Sequence, residues 1–273
     1  MLNKVSFGQY YPTGSVVHRM DPRAKILLTV FYIVAVFFVQ SYSGFLLTAL
    51  LLGSVIALSK IPVRAVLKSV KAVIFLIIFT VVLNVLFYKG DAYNWEWNFW
   101  VISIKDAGLD FAAKMALRLL FLVIGTALLS FTTTPIELTD GIESLLSPLK
   151  YVKFPVHDLA VTMSIALRFI PTLTDETDKI MMAQKARGAD FESGNLMKRA
   201  RALIPVLIPL FVSAFRRADE LSYAMDSRCY NATKNRTRRK VLKFGFADYF
   251  AFLTMILYFL LILTDKIIFA GLL

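Results

Sequence analysis

Two short strings in this sequence set an arginine among small residues: Gln184-Lys185-Ala186-Arg187-Gly188-Ala189-Asp190 and Met225-Asp226-Ser227-Arg228-Cys229-Tyr230. The chemistry open to them is recognition, not catalysis. A guanidinium is planar, keeps its charge when partly buried, and can meet a carboxylate through two parallel hydrogen bonds, which an ammonium cannot. Small neighbours allow a close backbone approach, so Arg187 and Arg228 can enter a groove on a partner. A lone arginine at a helix C-terminus is explained by the helix dipole. A matched pair is less expected by chance.

Other chemistries find no support. No Gly-x-x-x-x-Gly-Lys-Ser/Thr string is present, so a P-loop nucleotide site is not expected in this chain. His18 and His157 are the only histidines and have no Cys or carboxylate at metal-ligand spacing. No Ser/His/Asp or Cys/His arrangement stands out. The chain is therefore expected to be non-catalytic, without metal or cofactor. The single cysteine, Cys229, forbids an intrachain disulfide.

The elements that must hold the two arginines are readable from spacing. Leu159, Met163, Ala166, Ile170, Leu173, Thr177, Ile180, Gln184 and Arg187 alternate steps of four and three, which is one face of a helix. Pro171 predicts a kink or two helices in series, and Gly188 a stop. Ala214, Ala218, Leu221, Met225 and Arg228 repeat the same steps on a second helix, about 195–228, with Pro205 and Pro209 kinking its first half. Both stripes thus finish on an arginine, seven residues beyond Ile180 and Leu221. Upstream, Thr134-Pro135-Ile136-Glu137 predicts the start of a short helix to about Leu146.

Composition places these helices beside a membrane. Of 273 residues 58% are hydrophobic and 18% charged, with a mean hydropathy of +0.64. Nearly uncharged runs predict five spans: Ile26–Val39, Phe45–Leu58, about Ala72–Phe87, about Ala113–Thr132 and about Phe246–Leu263. The first two form a hairpin, because one helix of 33 residues would reach about 50 Å and because Gln40–Gly44 has turn composition. The expected fold is an all-α polytopic membrane protein in three parts: four spans in 1–132, a cytosolic helical region in 133–243, and a last span in 244–273.

Charge sets the orientation. The net charge is +12, and 18 of the 31 Lys and Arg fall between Pro135 and Lys243. Under the positive-inside rule the N-terminus and residues 133–243 face the cytosol and the C-terminus lies outside. Such a basic balance fits a cytosolic face and anionic headgroups rather than nucleic acid. Tyr93, Trp95, Trp97, Phe99 and Trp100 in the outer loop suit the membrane–water interface. Lys114 and Arg118, near the outer end of the fourth span, can snorkel, and Asn84 is the main polar residue of the third.

Three stretches carry a resemblance. Gly8-Gln9-Tyr10 with His18-Arg19-Met20-Asp21-Pro22-Arg23-Ala24-Lys25, then Arg168-Phe169-Ile170-Pro171 with Glu176 and Ala183–Gly188, then Ala224–Tyr230, resemble in order the transmembrane T component of energy-coupling factor (ECF) transporters. The second arginine motif reads Ser-Arg-Cys where the family often has Ala-Arg-Gly. The resemblance implies a coupling subunit of an ATP-driven importer of a vitamin or metal, in a bacterial cell (inner) membrane. It implies two ABC-type ATPases as partners, docked at Ala186, Arg187, Gly188, Ser227, Arg228 and Cys229, and a small membrane S component that holds the substrate. The scarcity of ionisable residues in the spans argues against the alternative, a self-sufficient secondary transporter.

Overall fold

A computed structural model describes residues 10–88, 96–99, 102–148, 155–191, 193, 195–230 and 242–270. The chain divides into two units: Gly8–Leu145 with Leu242–Leu273, and Leu146–Val241.

The first unit is helical around one apolar core. Its elements are α1 (Val16–Arg19), α2 (Pro22–Phe38), α3 (Tyr42–Ser59), α4 (Val63–Phe87), α5 (Asp106–Thr132), α6 (Pro135–Leu145) and α9 (Phe246–Ala270). A β-hairpin, β1 (Glu96–Phe99) with β2 (Ile102–Lys105), separates α4 from α5 in antiparallel register, Glu96 opposite Lys105. The outer loop is thus partly a hairpin. The side chains of its aromatic cluster lie outside the described residues.

α2 is the hub of this unit and packs on α5, α6 and α9. Asp21 caps it by accepting from the Arg23 N–H, and Pro22 occupies the first turn, where no N–H is needed. Tyr32, 5% exposed, lies against Gly125 of α5 and donates to the Phe121 carbonyl at 2.9 Å. A Cβ at Gly125 would stand 2.1 Å from the Tyr32 ring, so only glycine permits this approach. The predicted hairpin after α2 is present. Ser41 caps α3 through the Gly44 N–H, and Ser41 and Ser43 both donate to Asp265 of α9. α3 and α9 also meet through the Thr48 and Tyr258 hydroxyls, 2.8 Å apart.

Five described helices are long and apolar enough to cross a membrane: α3, α4, α5, α9, and α7 (Val156–Ala186) of the second unit. The number matches the expected five, but the membership differs at one helix. α2, expected as the first span, has 17 residues and so reaches about 26 Å, slightly under the hydrocarbon thickness. α7 qualifies through its apolar first half, with a mean hydropathy of 1.2 over its best stretch against 2.7 for α4. Ile77 apart, that α4 stretch is largely exposed within the chain, so its apolar surface is available to lipid.

Element edges also shift. α5 begins at Asp106, about two turns before the expected Ala113, because the Asp106 side chain accepts from the Ala107 N–H and Gly108 lets the helix approach Tyr88. Arg118 does not snorkel freely. Its Nη2 donates to the Val39 carbonyl at 2.7 Å and so satisfies the end of α2. Lys114 pairs with Asp110 at 2.7 Å. Asn84 turns back onto the Thr80 carbonyl of its own helix.

A polar knot closes one end of this unit. Lys25, 5% exposed, donates to the carbonyls of His18 at 2.9 Å and Thr132 at 2.8 Å, capping the C-terminal ends of α1 and α5 with a cation. The negative charges of Glu137, Asp248 and Asp21 favour its charged form. Asp248, 2% exposed, accepts from the Gly245 N–H at 2.7 Å, starting α9, and from the Asp21 N–H at 3.0 Å. Arg23 Nη2 donates to the Leu242 carbonyl at 2.8 Å, and its guanidinium lies 5.4 Å from the Phe244 ring centre. α6 opens with the predicted cap, in which Thr134 and Glu137 exchange backbone-to-side-chain bonds of 3.2 and 3.3 Å. Gly141 of α6 seats it on Pro22 and Ile26; a Cβ there would stand 3.0–3.1 Å from both. α6, assigned from sequence to the 133–243 region, packs on α2 in this way.

The second unit comprises α7 and α8 (Leu196–Ser227), which pack on each other. α7 is one helix through Pro171 rather than two in series, and α8 continues through Pro205 and Pro209. At 31 and 32 residues they reach about 46–48 Å each.

Candidate functional site: two matched arginine helix ends

The ends of α7 and α8 have the same backbone construction. At α7, Gly188 takes a left-handed conformation with φ +88°. The Gly188 N–H donates to the Lys185 carbonyl at 3.0 Å, and the Ala189 N–H to the Gln184 carbonyl at 3.0 Å. This pair of bonds is a Schellman motif, which uses up carbonyls that the last helical turn leaves open. Arg187 is the capping residue, with φ −85° and ψ 5°. At α8, Cys229 takes the left-handed position with φ +53°. Its N–H donates to the Asp226 carbonyl at 2.9 Å, and the Tyr230 N–H to the Met225 carbonyl at 2.9 Å. Arg228 therefore occupies the position that Arg187 occupies at α7.

The expected stop at Gly188 is where the sequence puts it. The equivalence of Cys229 to Gly188 was not visible, since cysteine carries no preference for a left-handed turn. It gives the Ser-Arg-Cys departure a concrete meaning: the turn is kept, and a side chain sits where glycine needs none.

The six expected site residues, Ala186, Arg187, Gly188, Ser227, Arg228 and Cys229, are all exposed. Neither arginine side chain has a partner among the described residues, nor does any bond join the two ends. Each guanidinium is left facing solvent at the terminus of a long rod, where its charge also complements the helix dipole. What such an end can do is accept an acidic or carbonyl-lined groove.

Behind the ends, the helices present apolar surface. On α7, Leu159 and Met163 are both 46% exposed. On α8, Ile208, Phe211, Val212 and Phe215 are 57–69% exposed. Contiguous uncovered apolar area of this kind marks an interaction face. Arg217 of α8 meets Glu176 of α7 at 3.3 Å, with both side chains about a third exposed. Such a half-wet pair aligns helices more than it stabilises them, at roughly 0–1 kcal/mol. Sequence reading singled out Glu176 but not Arg217; the apposed signs on two helices were the signal available.

An apolar crevice of about 670 Å³ runs among α1, α2, α3, α5 and α9, with Lys25, Thr29, Tyr32, Ser54, Thr132 and Thr254 as its few polar residues. Lys25 is already held by two carbonyls. Among the described residues no group of His, Cys, Asp and Glu could hold a metal ion.

The Cobalt transport protein family (CbiQ) matches residues 13–239. A protein of Ruminiclostridium cellulolyticum named energy-coupling factor transporter transmembrane protein EcfT is 51% identical over 89% of this chain and 90% of its own length. Proteins of the same name from Acidaminococcus fermentans and Bacillus subtilis are 49% and 43% identical, over 96% and 89% of this chain and 97% and 91% of their own lengths.

Proposed function

The chain belongs to the family of transmembrane T components of energy-coupling factor transporters, and on that premise we propose that its two arginine-ended helices are the parts that dock onto partner ATPases. As a multi-pass membrane subunit of such a transporter, the chain works in a complex with other subunits. In the proposed arrangement, two ABC-type ATPases hydrolyse ATP, and this chain performs no catalysis itself. Arg187 and Arg228, each flanked by small residues, enter one groove per ATPase. Closing of the ATPase pair moves α7 and α8. The apolar faces of those helices carry a small membrane S component that holds the micronutrient, a vitamin or a metal, and reorient it. The membrane is the bacterial inner membrane, with the N-terminus and residues 133–243 cytosolic and the C-terminus outside.

One observation carries this reading: the identical backbone construction of the two helix ends, with an exposed arginine at the same position in each. A dipole-complementing cation needs no such matching, whereas two copies of a docking element on two equivalent partners do. The exposed apolar residues of α8 support the S-component platform.

The experiment is capture of tagged ATPases from membranes, with substrate uptake measured in the same cells. Arg187→Ala with Arg228→Ala should lose both capture and uptake. Each single change should weaken capture by about ten-fold or more, the size of one charge-assisted hydrogen bond. Intact assembly and uptake in the double variant would show the docking role to be wrong.

A further inference from the structure

We infer that the first turn of α2, Asp21–Lys25, is the anchor through which movement of the α7–α8 unit reaches the membrane unit, and that Arg23 is its positioning residue toward α9. The inference rests on the coupling reading above and adds to it a site in the other unit.

Connectivity is the first half of the case. The chain leaves the membrane unit after α6 and returns to it at Leu242. Any force that α7 and α8 exert along the chain arrives at these two places. The knot supplies the second half. Both places are fastened to the same turn of α2. On the outgoing side, α6 is seated on Pro22 and Ile26 at Gly141. On the returning side, Leu242 accepts from Arg23, Phe244 faces the Arg23 guanidinium, and Asp248 accepts from the Asp21 N–H. Lys25 adds the ends of α1 and α5 to the same point.

A turn of this construction is stiffer than helix packing alone requires. Asp248 and Lys25 are buried, and each uses its charge on backbone groups from distant parts of the chain. Burying charges is costly unless they are fully bonded, so this arrangement is a poor device for stability alone and a good one for fixing geometry. Arg23 differs from the other two. Its side chain is 22% exposed and pairs at 3.4 Å with the buried Asp21 carboxylate, which would keep the Arg23 N–H as a donor after the side chain is removed, and it holds the returning chain at Leu242 and Phe244.

The test uses the assembled complex, with its ATPases and S component, in liposomes, where ATP hydrolysis and substrate uptake are read in the same vesicles. Arg23→Ala should leave the amount of complex and its hydrolysis per complex unchanged. Uptake per ATP should fall by about ten-fold, the size of one charge-assisted hydrogen bond. Amide exchange should rise at Leu242–Tyr249. Arg23→Lys, which can still donate to Leu242 and face Phe244, should restore part of the uptake. Arg19→Ala, an exposed change on α1, should do nothing. The inference is overturned if hydrolysis and uptake fall together in step with the amount of complex. It is equally overturned if exchange at Leu242–Tyr249 rises while uptake per ATP stays constant. A wild-type chain that captures no ATPase overturns the coupling reading itself, and this inference with it.

Discussion

At the scale of single residues, the backbone difference between the two helix ends is glycine at 188 against cysteine at 229 in the same left-handed position. A non-glycine residue there carries a steric penalty of about 1 kcal/mol, partly offset by the greater freedom glycine has when unfolded. Cys229→Gly should therefore firm the end of α8 by about 0.5–1 kcal/mol, and Gly188→Ala should loosen the end of α7 by a similar amount or more. Amide exchange at Tyr230 and Ala189, whose N–H groups close the two motifs, reads each effect directly. Slower exchange at Tyr230 and faster exchange at Ala189 are expected; the reverse pattern would contradict the shared geometry. The arginines themselves were legible in the sequence, because a stripe ending on a charged residue before glycine is a local signal. The role of Cys229 was not, because it depends on a backbone angle that its type does not announce.

At the scale of elements, the long stripes, the short helix after Thr134 and the α2–α3 hairpin follow from period and punctuation, and each is present. The departures have definite causes. Of the two expected effects of Pro171, a kink or two helices in series, the second does not occur, since one missing N–H leaves the rest of a long helix intact. The β-hairpin in the outer loop does alternate, with Trp97 and Phe99 on one strand and Ile102 and Ile104 on the other, but its strands are four residues each, the shortest length at which that period can be read. α2, at about 26 Å, falls a little short of the hydrocarbon thickness, whereas α7 exceeds it and has an apolar first half. The α2–α5 contact yields a prediction of its own. Gly125→Ala pushes a methyl group into the Tyr32 ring and should cost about 2–3 kcal/mol, in the range of overpacked cores. Thermal unfolding in detergent would register this as a lowered Tm. Tyr32→Leu in the same chain should recover much of the loss, and its failure to do so would place the damage elsewhere.

At the scale of the whole molecule, the sequence could not indicate that Asp21 meets Asp248 across 227 positions, or that Arg23 meets Leu242 across 219. Hydrophobic period and capping signals are local, whereas these contacts are set by how α2, α6 and α9 come together at one end of their unit. An acid opening an apolar helix and a lysine at the start of another were the only hints. The chain also carries a single sulfhydryl, and the fold leaves it exposed next to Arg228. That makes every copy of the protein an optical and chemical reporter without engineering. A thiol-reactive dye will modify one position per chain, within reach of the proposed ATPase groove. Addition of ATPases should slow that modification, and Arg228→Ala should abolish the protection. An unchanged labelling rate in the assembled transporter would mean that this corner of the molecule stays open to water while it works.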